Sequence, residues 1–528
     1  MADKNVTAED LAKKMREVSV AEFFEKNRHL LGYENPSKSL LTIVKELVDN
    51  SLDAANEAGI GPTIKISIKQ LEEDRFKITA EDNGPGIVEE KLSLAFGKLL
   101  YGSKFHRLRQ SRGTQGIGVS GAILYCQLTT GKATKVISST GKAIHEIELM
   151  IDVMKNEPKI ISHKEEKNPD KWHGIKIVME AEGRYTEGKQ SVLEYIKQSA
   201  VANPNAKIIY DGPNGKTTFD KVTNEMPVQP QEIKPHPYGV EIGILRRMIS
   251  TSSSRNMTGF LTSDFSRVGR GSALEMCKVA KIDAGKKPQI LDHSETERLY
   301  KAMQTVKLMS PPTNVLSPLG EKLIEEGLKK EVEAEFFVAV SRSPAVYRGN
   351  PFQVEVGIAY GGKLPLDSTA QLMRFANKVP LLYHQSDCAT AEAVVDTDWK
   401  RYGFSQSSGS LPQGPMIVLI HFASVWVPYT SEGKQAIADY PEIIKEMKLA
   451  LQEAGRRLSI YVRNKNKMRD KHMRRQIFER YIPEVAESLH KLTGKDKKKI
   501  IEELEVITKK NVKLEEEKEN GEGNKEEA

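Results

Sequence analysis

The chain has 528 residues, with 79 Lys and Arg against 72 Asp and Glu and a formal net charge of +7. At roughly 150 residues per domain that length suggests about three or four domains, and 39% hydrophobic residues supply enough apolar surface to exclude a wholly disordered or fibrous chain. The longest apolar runs are about five residues, as at Met416 to Ile420, far short of the roughly 18 to 20 that cross a bilayer, so no membrane segment is expected.

The N-terminus places no apolar core behind a basic start, so no secretory signal is expected. Cys126, Cys277 and Cys388 form no CxxC pair. They support neither a disulfide framework nor a zinc site, and a reducing cytoplasm fits. The positive charge permits a polyanionic partner.

In chain order, a helical pattern covers residues 40–57. Ile64, Ile66 and Ile68, then Phe76, Ile78 and Ala80, alternate with polar residues and predict two half-buried strands. Glycine punctuation marks loops near Gly84, Gly102 and Gly113. Prolines at 227, 230, 235 and 237 predict a linker. Helical pieces follow at 240–249, 273–279 and 295–309, and residues 237–312 hold 12 Lys and Arg against 7 Asp and Glu. Strand patterns return at 336–340, 352–358 and 416–420. A long helical pattern at 435–480 leads into a Lys/Glu tail from 495, too polar to pack, whose alternating charge blocks predict a part-helical, then disordered segment.

Chemistry concentrates in three segments. On a helix Glu46, Asn50 and Asp53 share one face, while Val44, Leu47, Val48, Leu52 and Ala55 take the other. The Asn50 amide oxygen can hold a hard cation and the Glu46 carboxylate can take a proton from water. Asp82 ends the second strand and is followed by Gly84 and Gly86, which let backbone approach a planar ligand while the acid accepts a hydrogen bond. The third segment, Gly113-Thr114-Gln115-Gly116-Ile117-Gly118-Val119, opens a helix, where free N–H groups and the helix dipole favour phosphate. It lacks the Lys-Ser/Thr of a Walker A loop.

In this order and spacing the three segments resemble the GHKL ATPases, the superfamily of gyrase, Hsp90, MutL and the histidine kinases. That likeness makes Glu46 the general base, Asn50 a magnesium ligand and Asp82 the acceptor of the adenine amino group. Residues 113–118 wrap the phosphates, and Asp53 supports the site. Further segments, Phe96-Gly-Lys-Leu-Leu-Tyr101-Gly-Ser-Lys104, Arg374-Phe-Ala-Asn-Lys-Val-Pro380 and Asp398-Trp-Lys-Arg-Tyr-Gly403, resemble the archaeal B-subunit family of type IIB topoisomerases. The likeness runs from about residue 20 to 480. It implies an α+β architecture: a GHKL α/β-sandwich ATPase domain with an N-terminal dimerisation strap (1–230), an all-helical helix-two-turn-helix module (231–312) and an α/β transducer with a long C-terminal helix (313–490). A charged tail (491–528) follows.

The resemblance also implies ATP and Mg2+ as cofactors, ATP-dependent self-dimerisation, duplex DNA as substrate and a separate cleaving A subunit in an A2B2 heterotetramer. Lys434 stands at the family's switch lysine, and Lys104 joins the nucleotide set. One departure is Ile175, where the family has Thr after His-Gly; it removes a hydroxyl near the adenine. Arg246, Arg247, Arg267, Arg270, Lys278, Lys281, Lys286 and Lys287 are candidate phosphate contacts. The histidines form no HExxH and no close cluster, so no catalytic metal held by the protein alone is indicated. A histidine kinase should carry a phospho-accepting histidine ahead of the ATPase core, and a chaperone needs no basic helical module.

Overall fold

A computed structural model describes residues 8–507 apart from 13–14, 105–106, 114–115 and 432. The chain divides into two compact units, Met1–Ala454 and Gly455–Ala528.

The first unit begins with α1 (Ala8–Ala12), α2 (Val20–Lys26) and α3 (Pro36–Glu57). α3 starts where the Asn35 side chain accepts from Lys38 N at 2.9 Å and Pro36 fills the first turn. Its apolar stripe, including Ile43, Val44, Leu47, Val48 and Leu52, is buried. Then come β1 (Thr63–Glu72), β2 (Arg75–Asp82), α4 (Glu89–Gly97), α5 (Gly118–Thr130), β3 (Thr134–Thr140), β4 (Ala143–Asp152), β5 (Glu157–Lys167), β6 (His173–Glu182), α6 (Val192–Ala202), β7 (Lys207–Gly212) and β8 (Gly215–Phe219).

These strands form one sheet in the order β5-β4-β3-β6-β2-β1-β7-β8. Every pairing is antiparallel except β1 with β7. Side chains alternate, so Ile64, Ile66 and Ile68 on β1 and Phe76, Ile78 and Ala80 on β2 enter one core with the stripe of α3. Asp82 has the same parity as Ala80 and therefore turns its carboxylate into the helical layer.

The proline-rich stretch is anchored rather than loose. Ile233 N donates to Leu108 O at 2.9 Å, Gln231 N to Val315 O at 3.0 Å, and Arg109 Nε to Pro230 O at 2.8 Å. A helical cluster follows: α7 (Ile242–Thr251), α8 (Met257–Asp264), α9 (Arg270–Ala280) and α10 (His293–Thr305) around Leu245, Phe260, Met276 and Leu299. α8 carries Gly and Thr at interior positions, which hid it from the periodicity; Asn256 caps it by accepting from Gly259 N at 2.7 Å.

The second sheet is built from β9 (Phe336–Ser341), β10 (Ala345–Tyr347), β11 (Asn350–Tyr360), β12 (Gln371–Ala376), β13 (Val379–Pro380) and β14 (Met416–Ser424). Its order is β10-β11-β14-β12-β13, with β9 also on β11. α11 (Glu321–Glu331) packs on β9 and β11, and α12 (Ala389–Val395) precedes the Trp399 turn; neither helix was expected from the sequence.

α13 (Pro441–Thr493) starts in the first unit and supplies most of the described second unit. Beyond Gly494, with φ +72°, residues 497–507 form another helix with Ile500 buried, and Lys497 pairs with Glu487 at 2.6 Å. The beginning of the charged tail is thus helical, as its alternating charge blocks suggest, and the burial of Ile500 shows that it also packs, which the Lys/Glu pattern did not suggest. Residues 508–528 lie outside the described set.

Candidate nucleotide site

A cavity of about 370 Å³ opens between α3, the end of β2, the C-terminal end of α4, the glycine-rich segment 113–119 that forms a strap over it, and the loop before α13. The volume lies in the usual range for small-ligand sites. Its apolar end is lined by Ile87, Phe96, Ile175 and Ile177, and its polar end by Lys45, Glu46, Asn50 and Lys434. Such a division suits a flat base at one end and phosphates at the other.

Asp82 is buried at the apolar end. Its Oδ2 accepts from Ser51 Oγ at 2.9 Å; its Oδ1 accepts from Gly84 N at 2.9 Å and Ile175 N at 3.2 Å. Burial raises its pKa, and those donors oppose the rise. Ile175 thus serves the carboxylate through its backbone, which needs no hydroxyl. Gly84 lies behind this contact; its carbonyl meets His173 Nδ1 at 2.8 Å. Gly86 has φ +73°, and a β-carbon there would overlap Ser139 O.

At the polar end Asn50 Nδ2 donates to Glu46 O at 2.6 Å, which turns the amide oxygen away from the helix. The Glu46 carboxylate makes no side-chain hydrogen bond among the described residues, and a β-carbon at Gly118 would overlap it. Gly113, Gly116, Ile117, Gly118 and Val119 line the cavity; Thr114 and Gln115 lie outside the described residues.

Asp53 stands beside the cavity rather than in its lining. It accepts from Arg112 Nη1 at 2.6 Å and from Lys104 Nζ at 2.9 Å. Burial pushes its pKa up, but Lys104 and Arg112 more than reverse this and leave it lowered. Lys104 also pairs with Glu57 at 3.1 Å, so its ammonium is committed to carboxylates although the residue lines the cavity.

Lys434, at φ +52°, donates to Arg112 O at 3.1 Å. Lys45 donates to Gly433 O at 3.1 Å, and burial lowers its pKa against the pull of Glu46 and Asp49. Arg112 before the glycine strap, α3 and the loop at 433–434 are therefore joined by hydrogen bonds. The sequence pattern gave Arg112 and Lys45 no role. Arg112 had one legible signal, its place directly before Gly113.

A two-layer fold with an acid and an amide on one helix, an aspartate at a strand end and a glycine strap over the cavity defines a GHKL-type ATPase. Residues 38–178 match the family of histidine kinase-, DNA gyrase B- and HSP90-like ATPases, and residues 311–474 match the topoisomerase VI B subunit transducer. The B subunit of type 2 DNA topoisomerase 6 from Methanosarcina acetivorans is 46% identical over 493 residues, covering 93% of this chain and 79% of the relative. Its counterpart from Pyrococcus horikoshii is 41% identical over 558 residues, covering 96% and 98%. The chain belongs to the topoisomerase VI B-subunit family.

A solved gyrase B ATPase domain from Thermus thermophilus, in complex with an aminocoumarin, has a TM-score of 0.40 at 14% identity, covering 85% of this chain and 92% of that one. That likeness is too loose to add to the assignment. No helix among the described residues is long and apolar enough to cross a membrane.

The expectation that no histidines gather is corrected by the fold. His145 and His163, 18 positions apart, come together with Glu89 because β4 and β5 are paired.

Proposed function

We propose that this chain is the ATP-operated clamp of a cytoplasmic type IIB topoisomerase, with Glu46 as the general base that takes a proton from the attacking water. The observation that carries the reading is the facing of Glu46 and Asn50 into one cavity, closed opposite by Gly116 to Gly118 and Lys434. Asp82 uses three acceptor positions on its own chain, and a carboxylate offers about four, so one remains for an adenine amino group.

Asn50 fits a magnesium ligand: its amide nitrogen is spent on Glu46 O, and its oxygen is the kind of hard donor Mg2+ takes. Bound there, Mg2+ would neutralise phosphate charge. Residues 113–119 cover the phosphates, with Thr114 and Gln115 included by family likeness. Lys434 reaches the terminal phosphate, and exchange between that phosphate and Arg112 O gives the strap two states.

ATP-driven pairing of two copies through their N-terminal segments, part of which lies outside the described residues, would trap a duplex. Arg246, Arg247, Arg267, Arg270, Lys278, Lys281 and Lys287 are exposed on the helical module and support DNA contact; Lys286 is paired with Glu295 at 2.6 Å. Cleavage belongs to an A subunit in an A2B2 assembly. Its docking near the C-terminal helix is supported by exposed Ile477, Phe478 and Tyr481.

The test is to co-purify the chain with an A subunit and assay passage of one duplex through another. Passage that needs ATP, with hydrolysis stimulated by duplex DNA, is expected. A complex that hydrolyses ATP without DNA stimulation and passes no duplex would overturn the reading.

A further inference from the structure

Away from the nucleotide cavity, Glu89 at the start of α4, His145 on β4 and His163 on β5 converge. One carboxylate oxygen and one ring nitrogen from each histidine lie within 4.8 Å of one another. Strand register produces this. His145 pairs with Glu165 and Ile147 with His163, so the two histidines are diagonal neighbours on one face of the hairpin, and α4 packs against that hairpin.

The three groups are not hydrogen-bonded to one another. His145 Nδ1 is 3.9 Å from Glu89 Oε2, and His163 Nε2 is 3.8 Å from Glu89 Oε1. A histidine donating to a carboxylate closes to about 2.8 Å. His145 Nδ1 is also buried without a hydrogen-bond partner among the described residues, and such an atom calls for an explanation. An ion that takes nitrogen and oxygen donors at about 2.0 to 2.2 Å would fill the gap once the three side chains draw in around it.

We propose that Glu89, His145 and His163 bind a divalent transition-metal ion of the zinc class, with an outward position left to water. Two imidazoles and one carboxylate form a known zinc donor set, and imidazole favours zinc, copper, iron or nickel over magnesium and calcium. The site therefore differs in chemistry from the oxygen donor at Asn50. Glu165, opposite His145, contributes further negative charge.

An ion here ties α4 to the β4–β5 hairpin. Ile87, two residues before Glu89, lines the nucleotide cavity and exchanges hydrogen bonds with Ser138, Ile87 N donating at 2.9 Å and Ser138 Oγ donating back at 3.0 Å. Ala95 and Phe96 of α4 line the same cavity. The site thus braces the apolar end of the pocket, and it stands whether or not the proposed ATPase roles hold.

The test uses the chelator-treated, nucleotide-free full chain, titrated with Co2+ and then Zn2+, followed by visible absorption and thermal unfolding. One saturable Co2+ per chain, displaced by Zn2+ and raising Tm, is expected; Mg2+ should do neither. His163→Gln and His145→Gln should each weaken binding by more than about tenfold, while Asn50→Ala should leave it intact. His163 is partly exposed, so its replacement can be read even if the His145 variant misfolds. The three cysteines are buried and do not compete. Absence of saturable Co2+ binding, or binding unchanged in folded His163→Gln, would overturn the proposal.

Discussion

Two carboxylates on one face of α3, two turns apart, receive opposite treatment. Asp53 is buried and clamped by Arg112 and Lys104, so its charge is spent on holding the strap stem to the helix. Glu46 faces the cavity and has no such clamp among the described residues. An ion pair would occupy its lone pairs and lower its basicity, both of which disqualify a proton acceptor. One helix face thus holds an anchor and an acid available for the proposed proton transfer, and what distinguishes them is the pairing each receives from elsewhere in the chain.

The largest effect should come from the working end. Glu46→Ala is expected to cut ATP hydrolysis by about 10²- to 10⁴-fold, the usual worth of a general base, while nucleotide affinity in a filter or fluorescence assay stays near that of the parent chain. Normal turnover would move Glu46 into the same category as Asp53 and dissolve the comparison.

At the anchored end, Asp53→Ala leaves Arg112 buried without its partner. Denaturant unfolding should report a loss of about 3 to 5 kcal/mol, the range for breaking a buried pair from one side. Asp53→Ala combined with Arg112→Met should recover part of that loss, because no uncompensated charge remains. Purely additive losses would mean that the two residues are not coupled.

The gathering of Glu46, Asn50 and Asp82 around one cavity was legible because they occupy short contiguous motifs whose geometry follows from helix and strand periods. The anchor was only half legible. Asp53 could be read, but Arg112 is 59 residues away and becomes its partner only when the strap folds back over α3. The same limit hid the Glu89, His145 and His163 group, which depends on hairpin register. It also hid β12, where buried Arg374 interrupts the apolar pattern; its guanidinium is satisfied by Leu381 O at 2.6 Å and Tyr383 O at 2.7 Å. Periodicity reports which face is buried, and it is silent on partners that arrive from distant sequence.

Buried titratable groups near the strap sharpen the contrast further. Burial lowers the Lys378 pKa to about 7, and nearby Arg112 adds to the effect. Between that value and the ordinary 10.5 the unfolded chain holds a proton that the folded chain lacks, so stability rises with pH across the window. Lys378→Met should remove that slope and stabilise the protein most below pH 7, by on the order of 3 kcal/mol. Equal slopes in variant and parent would show that Lys378 keeps its proton when folded.

The smallest expected effect concerns Asp49, whose carboxyl is raised to about 6 by burial, with Lys45 opposing the rise. Here the folded chain holds the extra proton between the ordinary 3.8 and about 6. The contribution of Asp49 is therefore full below that window and is lost as pH rises through it. Tyr195 donates to Asp49 Oδ1 at 2.7 Å, a bond that matters most when the carboxylate is charged. Tyr195→Phe should accordingly cost about 1 to 3 kcal/mol at pH 8 and distinctly less at pH 5. An equal cost at both values would mean that the hydroxyl stabilises Asp49 equally in its charged and neutral forms, making this aspartate a third kind of acid on α3, neither clamped by cations nor held ready for chemistry.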